Sequence, residues 1–343
     1  MRVFLKLTTA VEVALKIDVD TNQGLSEGVP RLAKMLAAVG ISATFFVAMG
    51  PDNSGRAIWR AFKNPGFISK MRRTRAVSMY GWRTILSGTI LPARAIALAY
   101  PQTLRDLLAM GFELGVHGYD HVRWQDHLDA LGEGGIKAEI DNSLEVYRAV
   151  TGAAAQSFAA PGWRTNSIAL KILDARGLSY HSDTRGHTPY RCSVDGEILR
   201  IPEIPTTLPT MDEVMGTEGL ESRGAIVRFY LEQFSESRLN VHTIHAETEG
   251  MSQLDTFTTI VRGLIERGAR FVQLSQIAQR LSMAELPVCE VTRITLPGRA
   301  GWISAQGSVN PSPFQGEDKG EGRYSTDPPG PAIKNPNSRK RPV

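Results

Sequence analysis

Cysteine is scarce: Cys192 and Cys289 are the two in 343 residues, and they form no CxxC pair. A disulfide scaffold and a cysteine zinc site are thereby excluded, and a reducing compartment is the natural setting. No run of about 18 uninterrupted apolar residues occurs, so no spanning helix is expected. The most apolar stretch, Ile85 to Tyr100, is broken by Pro92 and Arg94. Lys6, Glu12 and Lys16 interrupt the first apolar segment, so no export signal is expected and the protein should face the cytoplasm. Hydrophobic residues at 42% and charged residues at 22% suit a folded chain and exclude wholesale disorder.

Acid is nearly missing from one segment. Residues 51–100 hold nine Lys and Arg and a single acid, Asp52. That is a net +8 against +4 for the whole chain, which leaves the remainder at −4. Arg56, Trp59, Arg60, Arg72, Arg73, Arg75 and Trp82 interleave cations with rings. Such a mixture suits an anionic bilayer interface, where rings enter the headgroup boundary and each cation contributes roughly 1 kcal/mol. A solvated basic insertion has the same composition. No nucleic-acid motif accompanies the patch, so no nucleic-acid partner is expected.

Elsewhere strand-like and helix-like segments alternate. Strands are expected at Val11–Val19, Ile41–Ala48, Phe112–Val116, Gln156–Ala160, Leu178–Ser182, Asn240–Ala246 and Arg270–Leu274. Helices are expected at Pro30–Val39, Gln102–Met110, Ile136–Val150, Ile168–Ala175, Thr256–Glu266 and Gln276–Leu281. The alternation argues for an α/β protein with a mostly parallel sheet, open or closed into a barrel. Chemistry then gathers at the C-terminal ends of the strands. From Ala305 the chain turns Pro-, Gly-, Ser- and charge-rich. It divides into residues 1–304 as one domain, with 51–100 inserted, and a disordered tail over 305–343.

Polar residues cluster at the expected strand ends. Asp18 and Asp20 share one face of a strand, so one can bind a metal while the other reaches its water. By itself this pair is equally a couple of solvated strand-end acids. His117 and His121 have the i, i+4 spacing of a helical turn, which lets two imidazoles meet one cation. Gly118 stands where a metalloprotease has its Glu, so a hydrolytic base must come from elsewhere, and Asp18 is the candidate. Two His and one carboxylate leave open positions, as in a catalytic centre, and accept zinc, cobalt, manganese or nickel. His245 ends a late strand and can protonate a leaving amine. Pro161, Gly162, Trp163 and Arg164 offer a turn, a ring and a cation beside a substrate. Asp183 and Arg185 are placed to orient His245 and Asp18, or to form an ordinary surface ion pair.

In this order Asp18 and Asp20, His117 and His121, the Pro161 loop, Asp183 and His245 resemble the NodB-type polysaccharide deacetylase family. KIDVDT, EGVPRL, GPDNSGR, SMYGW, PGWR, SDTRG, IPTTLPTMDEV, TIHAETEG and PGRAGW carry the resemblance from Leu15 to Trp302. It implies a distorted (β/α) barrel, Asp18 as base, and Asp20, His117 and His121 as ligands of one divalent metal, zinc first. It also implies His245 as acid and Asp183 as its orienting partner. The family's arginine two residues before the loop proline is Ala159 here, and Arg164 or Arg185 is the candidate replacement. The resemblance further implies a deformylase acting on a formamido sugar carried by a polyprenyl phosphate. That substrate would be met at the cytoplasmic face of the bacterial inner membrane, by a peripheral protein. A same-fold amidohydrolase or deacetylase acting on a soluble amide or glycan, and a non-catalytic membrane adaptor, are the alternatives.

Overall fold

In the computed structural model, residues 10–56, 93–296, 299 and 301–309 are described. All of them fall in a compact unit ending at Asn310. Among the membrane-facing candidates only Arg56 is described, and it is exposed; Trp59, Arg60, Arg72, Arg73, Arg75 and Trp82 lie outside the described residues. Among the described residues no helix is long and apolar enough to cross a membrane.

The architecture is α/β, as the alternation requires. Strand β1 (Glu12–Val19) is buried along seven of its eight residues. Burial on both faces is the mark of a central parallel strand. It pairs in parallel with β2 (Thr44–Val47), β8 (Val241–His245) and β9 (Arg270–Val272). The sheet continues through β3 (Glu113–Val116), β4 (Ser157–Phe158) and β5 (Tyr180–His181), all parallel. Helix α1 (Val29–Ala38) lays Val29, Leu32, Ala33 and Leu36 on the core at helical spacing.

Two hairpins complete the sheet. Strand β6 (Tyr190–Val194) runs antiparallel to β7 (Glu197–Glu203), and β10 (Val288–Thr295) antiparallel to β11 (Trp302–Val309). The expected tail boundary is therefore wrong: Ala305 to Val309 belong to β11. Polar Gln306 and Ser308 beside Gly307 disguise an edge strand whose backbone pairs with β10. Among the described residues the ladder does not close into a complete barrel. Its gap is bridged irregularly, because Thr207 and Leu208 both donate N–H to Val241 O, at 3.0 and 3.3 Å.

Candidate metal centre

The strand ends deliver the polar residues to one place. Asp18 is the Cα partner of His245 across β1 and β8. Asp20 follows β1, and His117 follows β3. His121 opens helix α2 (His121–His127). The two histidines do not share a helical turn, as their spacing suggests. His117 precedes the helix, and Gly118 at φ +71° turns the chain between them. Asp120 then caps α2 by accepting the Arg123 N–H at 3.0 Å.

Three ligand atoms converge. His117 Nε2 lies 3.3 Å and His121 Nε2 3.5 Å from Asp20 Oδ1. That oxygen is buried without a hydrogen-bond partner. His117 Nδ1 faces the Ala159 carbonyl at 2.9 Å, which orients the ring and turns the Nε2 lone pair inward. An orphaned carboxylate oxygen between two imidazole nitrogens is the donor set of a divalent cation, and the residues fit one. Burial alone would raise Asp20, but His121 and His117 outweigh it and hold it well below the ordinary carboxylate range. Burial pushes His121 down, which favours the neutral ring a metal requires.

Asp18 stands beside this trio, its Oδ2 3.9 Å from His117 Nε2. The cation beside it is neither Arg164 nor Arg185. It is Lys16, fully buried, with Nζ 4.0 Å from Asp18 Oδ2 and donating to Ser182 O at 2.7 Å. The Arg164 guanidinium is held by the carbonyls of Gln125 and Trp302 and stacks over the Trp302 ring. It ties the Pro161 loop to β11 instead of facing Asp18. Arg185 donates to both Glu213 carboxylate oxygens at 3.2 Å.

His245 has Asp212 Oδ1 3.9 Å from its Nδ1 and the Trp163 ring edge-on at 6.3 Å. Burial opposes its charge, but Asp212, Asp20, Asp18 and Glu249 prevail and lift its pKa to about 9. The expected partner, Asp183, is placed elsewhere. Its Oδ1 accepts the Ala160 N–H at 2.7 Å and its Oδ2 meets His181 Nδ1 at 3.1 Å. It supports the Pro161 loop from below, within a fully buried set that includes Glu203, 2.6 Å from His181 Nδ1. His181, Asp183 and Glu203 also bring three ligand-type atoms together. Their separations are hydrogen-bond distances, and Glu203 is already satisfied by the amides of Asp183 and Thr184. This is a proton-linked network beneath the loop.

The loop itself is tightly fitted. Pro161 lies under Gly118, where an added Cβ would come within 2.9 Å of it. Trp163 N–H closes on Ala160 O, and Trp163 Nε1 donates to Thr206 Oγ1 at 3.0 Å.

The residues missed by the sequence reading are Lys16, Asp212, Glu247 and Glu249. Glu247 accepts the N–H groups of Asp20 and Thr21, each at 2.9 Å, and Glu249 accepts that of His245 at 2.9 Å. Burial raises both carboxyls, to about 8 and about 7. Lys16 did carry a signal: it interrupts an apolar strand two residues before Asp18, on the same face.

A family profile described as Polysaccharide deacetylase matches residues 8–181. A probable 4-deoxy-4-formamido-L-arabinose-phosphoundecaprenol deformylase of Shewanella sediminis is 33% identical over 298 residues, 87% of this chain and 95% of that protein. The chain belongs to the polysaccharide deacetylase family. A protein of the same description from Wigglesworthia glossinidia brevipalpis is 33% identical over 292 residues, 83% of this deacetylase-family chain and 99% of the relative. Among solved structures, a Mycobacterium smegmatis protein assigned as a polysaccharide deacetylase aligns with TM-score 0.57 at 19% identity, covering 83% and 94% of the two chains. This likeness shows the shared fold. As a member of the polysaccharide deacetylase family, the protein is a hydrolase of carbon–nitrogen amide bonds.

Proposed function

We propose that the protein hydrolyses the formamide of 4-deoxy-4-formamido-L-arabinose phosphoundecaprenol, giving formate and the free amino sugar lipid. The observation that carries the reading is the Asp20 oxygen held between His117 and His121, with Asp18 and His245 beside it. The 33% identity to relatives of that description, across most of both chains, supports the choice of amide.

Asp20, His117 and His121 would hold one divalent cation, zinc first with cobalt, manganese or nickel as alternatives, and it would supply polarisation of the formyl oxygen and the attacking water. Asp18 accepts the proton of that water as its oxygen joins the formyl carbon. Lys16 fixes the Asp18 carboxylate from the core side. Pro161 has no N–H, and those of Trp163 and Arg164 close the turn, so Gly162 supplies the loop amide for the oxyanion. His245 gives its proton to the sugar nitrogen as the C–N bond breaks. Asp212 keeps His245 charged for that step.

The basic, aromatic segment 51–100, with Arg56, Trp59, Arg60, Arg72, Arg73, Arg75 and Trp82, holds the protein on the anionic cytoplasmic face of the inner membrane. The substrate's lipid tail stays in that bilayer. The amino sugar serves the modification of lipid A with aminoarabinose, and through it resistance to polymyxin and cationic peptides. The test is formate release from the lipid-linked sugar with and without a chelator, beside a soluble formamide and an acetylated glycan. Chelator-sensitive release from the lipid-linked sugar is expected. Faster turnover of a soluble amide overturns the reading.

A further inference from the structure

Arg185 and Arg299 come from distant segments and meet at one carboxylate. Arg185 Nη1 donates to both oxygens of Glu213 at 3.2 Å, and Arg299 Nη1 to Oε1 at 3.1 Å. Both guanidiniums also sit on Trp163, at 5.2 and 4.5 Å from the ring centroid. The same ring meets His245 edge-on at 6.3 Å. The side chains of Arg185 and Arg299 are 13% and 14% exposed, comparable with His245 at 19%.

Two cations share one anion here, and like charges this close repel. The geometry is also directional: a guanidinium presents a planar fork matched to carboxylate or phosphate oxygens. A surplus positive charge, partly desolvated and stacked on an aromatic wall, is suited to one further anion. We infer that Arg185 and Arg299, steadied by Glu213 and Trp163, form a subsite for the phosphodiester that links the sugar to its lipid. The inference rests on the deformylase reading. In a 4-formamido sugar the reacting nitrogen and the glycosidic phosphate lie at opposite ends of one ring. Trp163, touching both His245 and the arginine pair, spans that interval. The subsite rewards a lipid-phosphate sugar over a neutral one, and it sets the register that presents the formamide to His245.

The test has a binding arm and a turnover arm. In the first, calorimetry measures farnesyl phosphate binding to the full chain and to Arg299→Gln. Loss of one charge-assisted contact should weaken binding by about tenfold to a hundredfold. Arg299→Lys should fall between the two. In the second, kcat/KM is compared for the formamido sugar on a short isoprenyl phosphodiester and for its methyl glycoside. The preference for the phosphodiester should drop by about tenfold or more in Arg299→Gln, through KM. Equal farnesyl phosphate affinity, or an unchanged preference with both rates falling together, overturns the subsite. So does displacement by equimolar inorganic phosphate, which would mark a free-phosphate pocket. Arg299→Gln carries the test if Arg185 variants do not fold. Wild type that binds farnesyl phosphate yet releases formate from neither sugar refutes the deformylase reading and leaves the subsite standing.

Discussion

Lys16 and Asp18 lie on one face of β1, their charged ends 4.0 Å apart, with Lys16 wholly enclosed. A buried ammonium is costly unless it is paired and hydrogen-bonded. Here Asp18 and the Ser182 carbonyl satisfy it. The resemblance implies an arginine two residues before Pro161; that position is Ala159, and the cation beside Asp18 is Lys16 of the same strand.

Asp18→Asn should lower kcat by about 10²- to 10⁴-fold while metal content stays stoichiometric, as expected if Asp18 is the base and Asp20, His117 and His121 are the ligands. Lys16→Met should also lower kcat, because the buried cation that fixes the Asp18 carboxylate is gone. Elemental analysis and steady-state kinetics read both. Unchanged kcat in Lys16→Met would detach Lys16 from the base.

His245 is lifted to about 9 against an ordinary 6.5. As an acid it works in its charged form, so activity should fall as pH rises through its pKa. Asp20, once committed to a cation, no longer supports that charge, so the alkaline limb should lie between the two values. Asp212→Asn removes the largest favourable partner and should bring the limb down toward 6.5. A limb insensitive to Asp212 assigns the acid elsewhere.

Burial opposes charge on His181, but Glu203 and Asp183 overcome it and hold its pKa well above the ordinary 6.5. Its stabilisation is whole below about 6.5 and fades as pH climbs through the raised value. Glu203 is held below its ordinary 4.5 by His181 against burial, so its share is whole above about 4.5 and is lost on acidification. His181→Ala should cost about 3–5 kcal/mol, for it strands two buried carboxylates. The Tm gap to wild type should be widest near pH 6 and narrow at alkaline pH. A gap independent of pH would refute the charged network.

Gly118→Ala meets both a left-handed φ of +71° and Pro161 Cγ at 2.9 Å. It should displace His117 relative to His121 and weaken metal affinity by about tenfold to a hundredfold, the usual cost of disturbing ligand support. Metal titration into the apoprotein checks this. An unchanged affinity would show that the turn does not set the ligand spacing.

The parallel core was legible because apolar runs such as Val13–Val19 and Thr44–Val47 repeat between amphipathic helices. Asp18, Asp20, His117, His121 and His245 were legible because strand ends concentrate chemistry. What escaped depends on long-range pairing. Asp183 and Asp212 are both acids after a strand or turn, and only the fold decides which one approaches His245. The two hairpins escaped because their strands mix Arg, Glu, Ser, Gln and Gly with the apolar residues, which blurs the alternation.

Strand β11 backs the loops that carry the arginines. Ser304 Oγ receives the Thr165 N–H at 3.0 Å, Trp302 O receives Arg164 Nε at 3.1 Å, and Gln306 N–H donates to Arg185 O at 2.7 Å. The first site residue, Lys16, leaves the ribosome almost three hundred residues before this splint. The nascent chain therefore carries its acids and imidazoles long before it can organise them, and a polypeptide stalled short of residue 302 is born without a finished site.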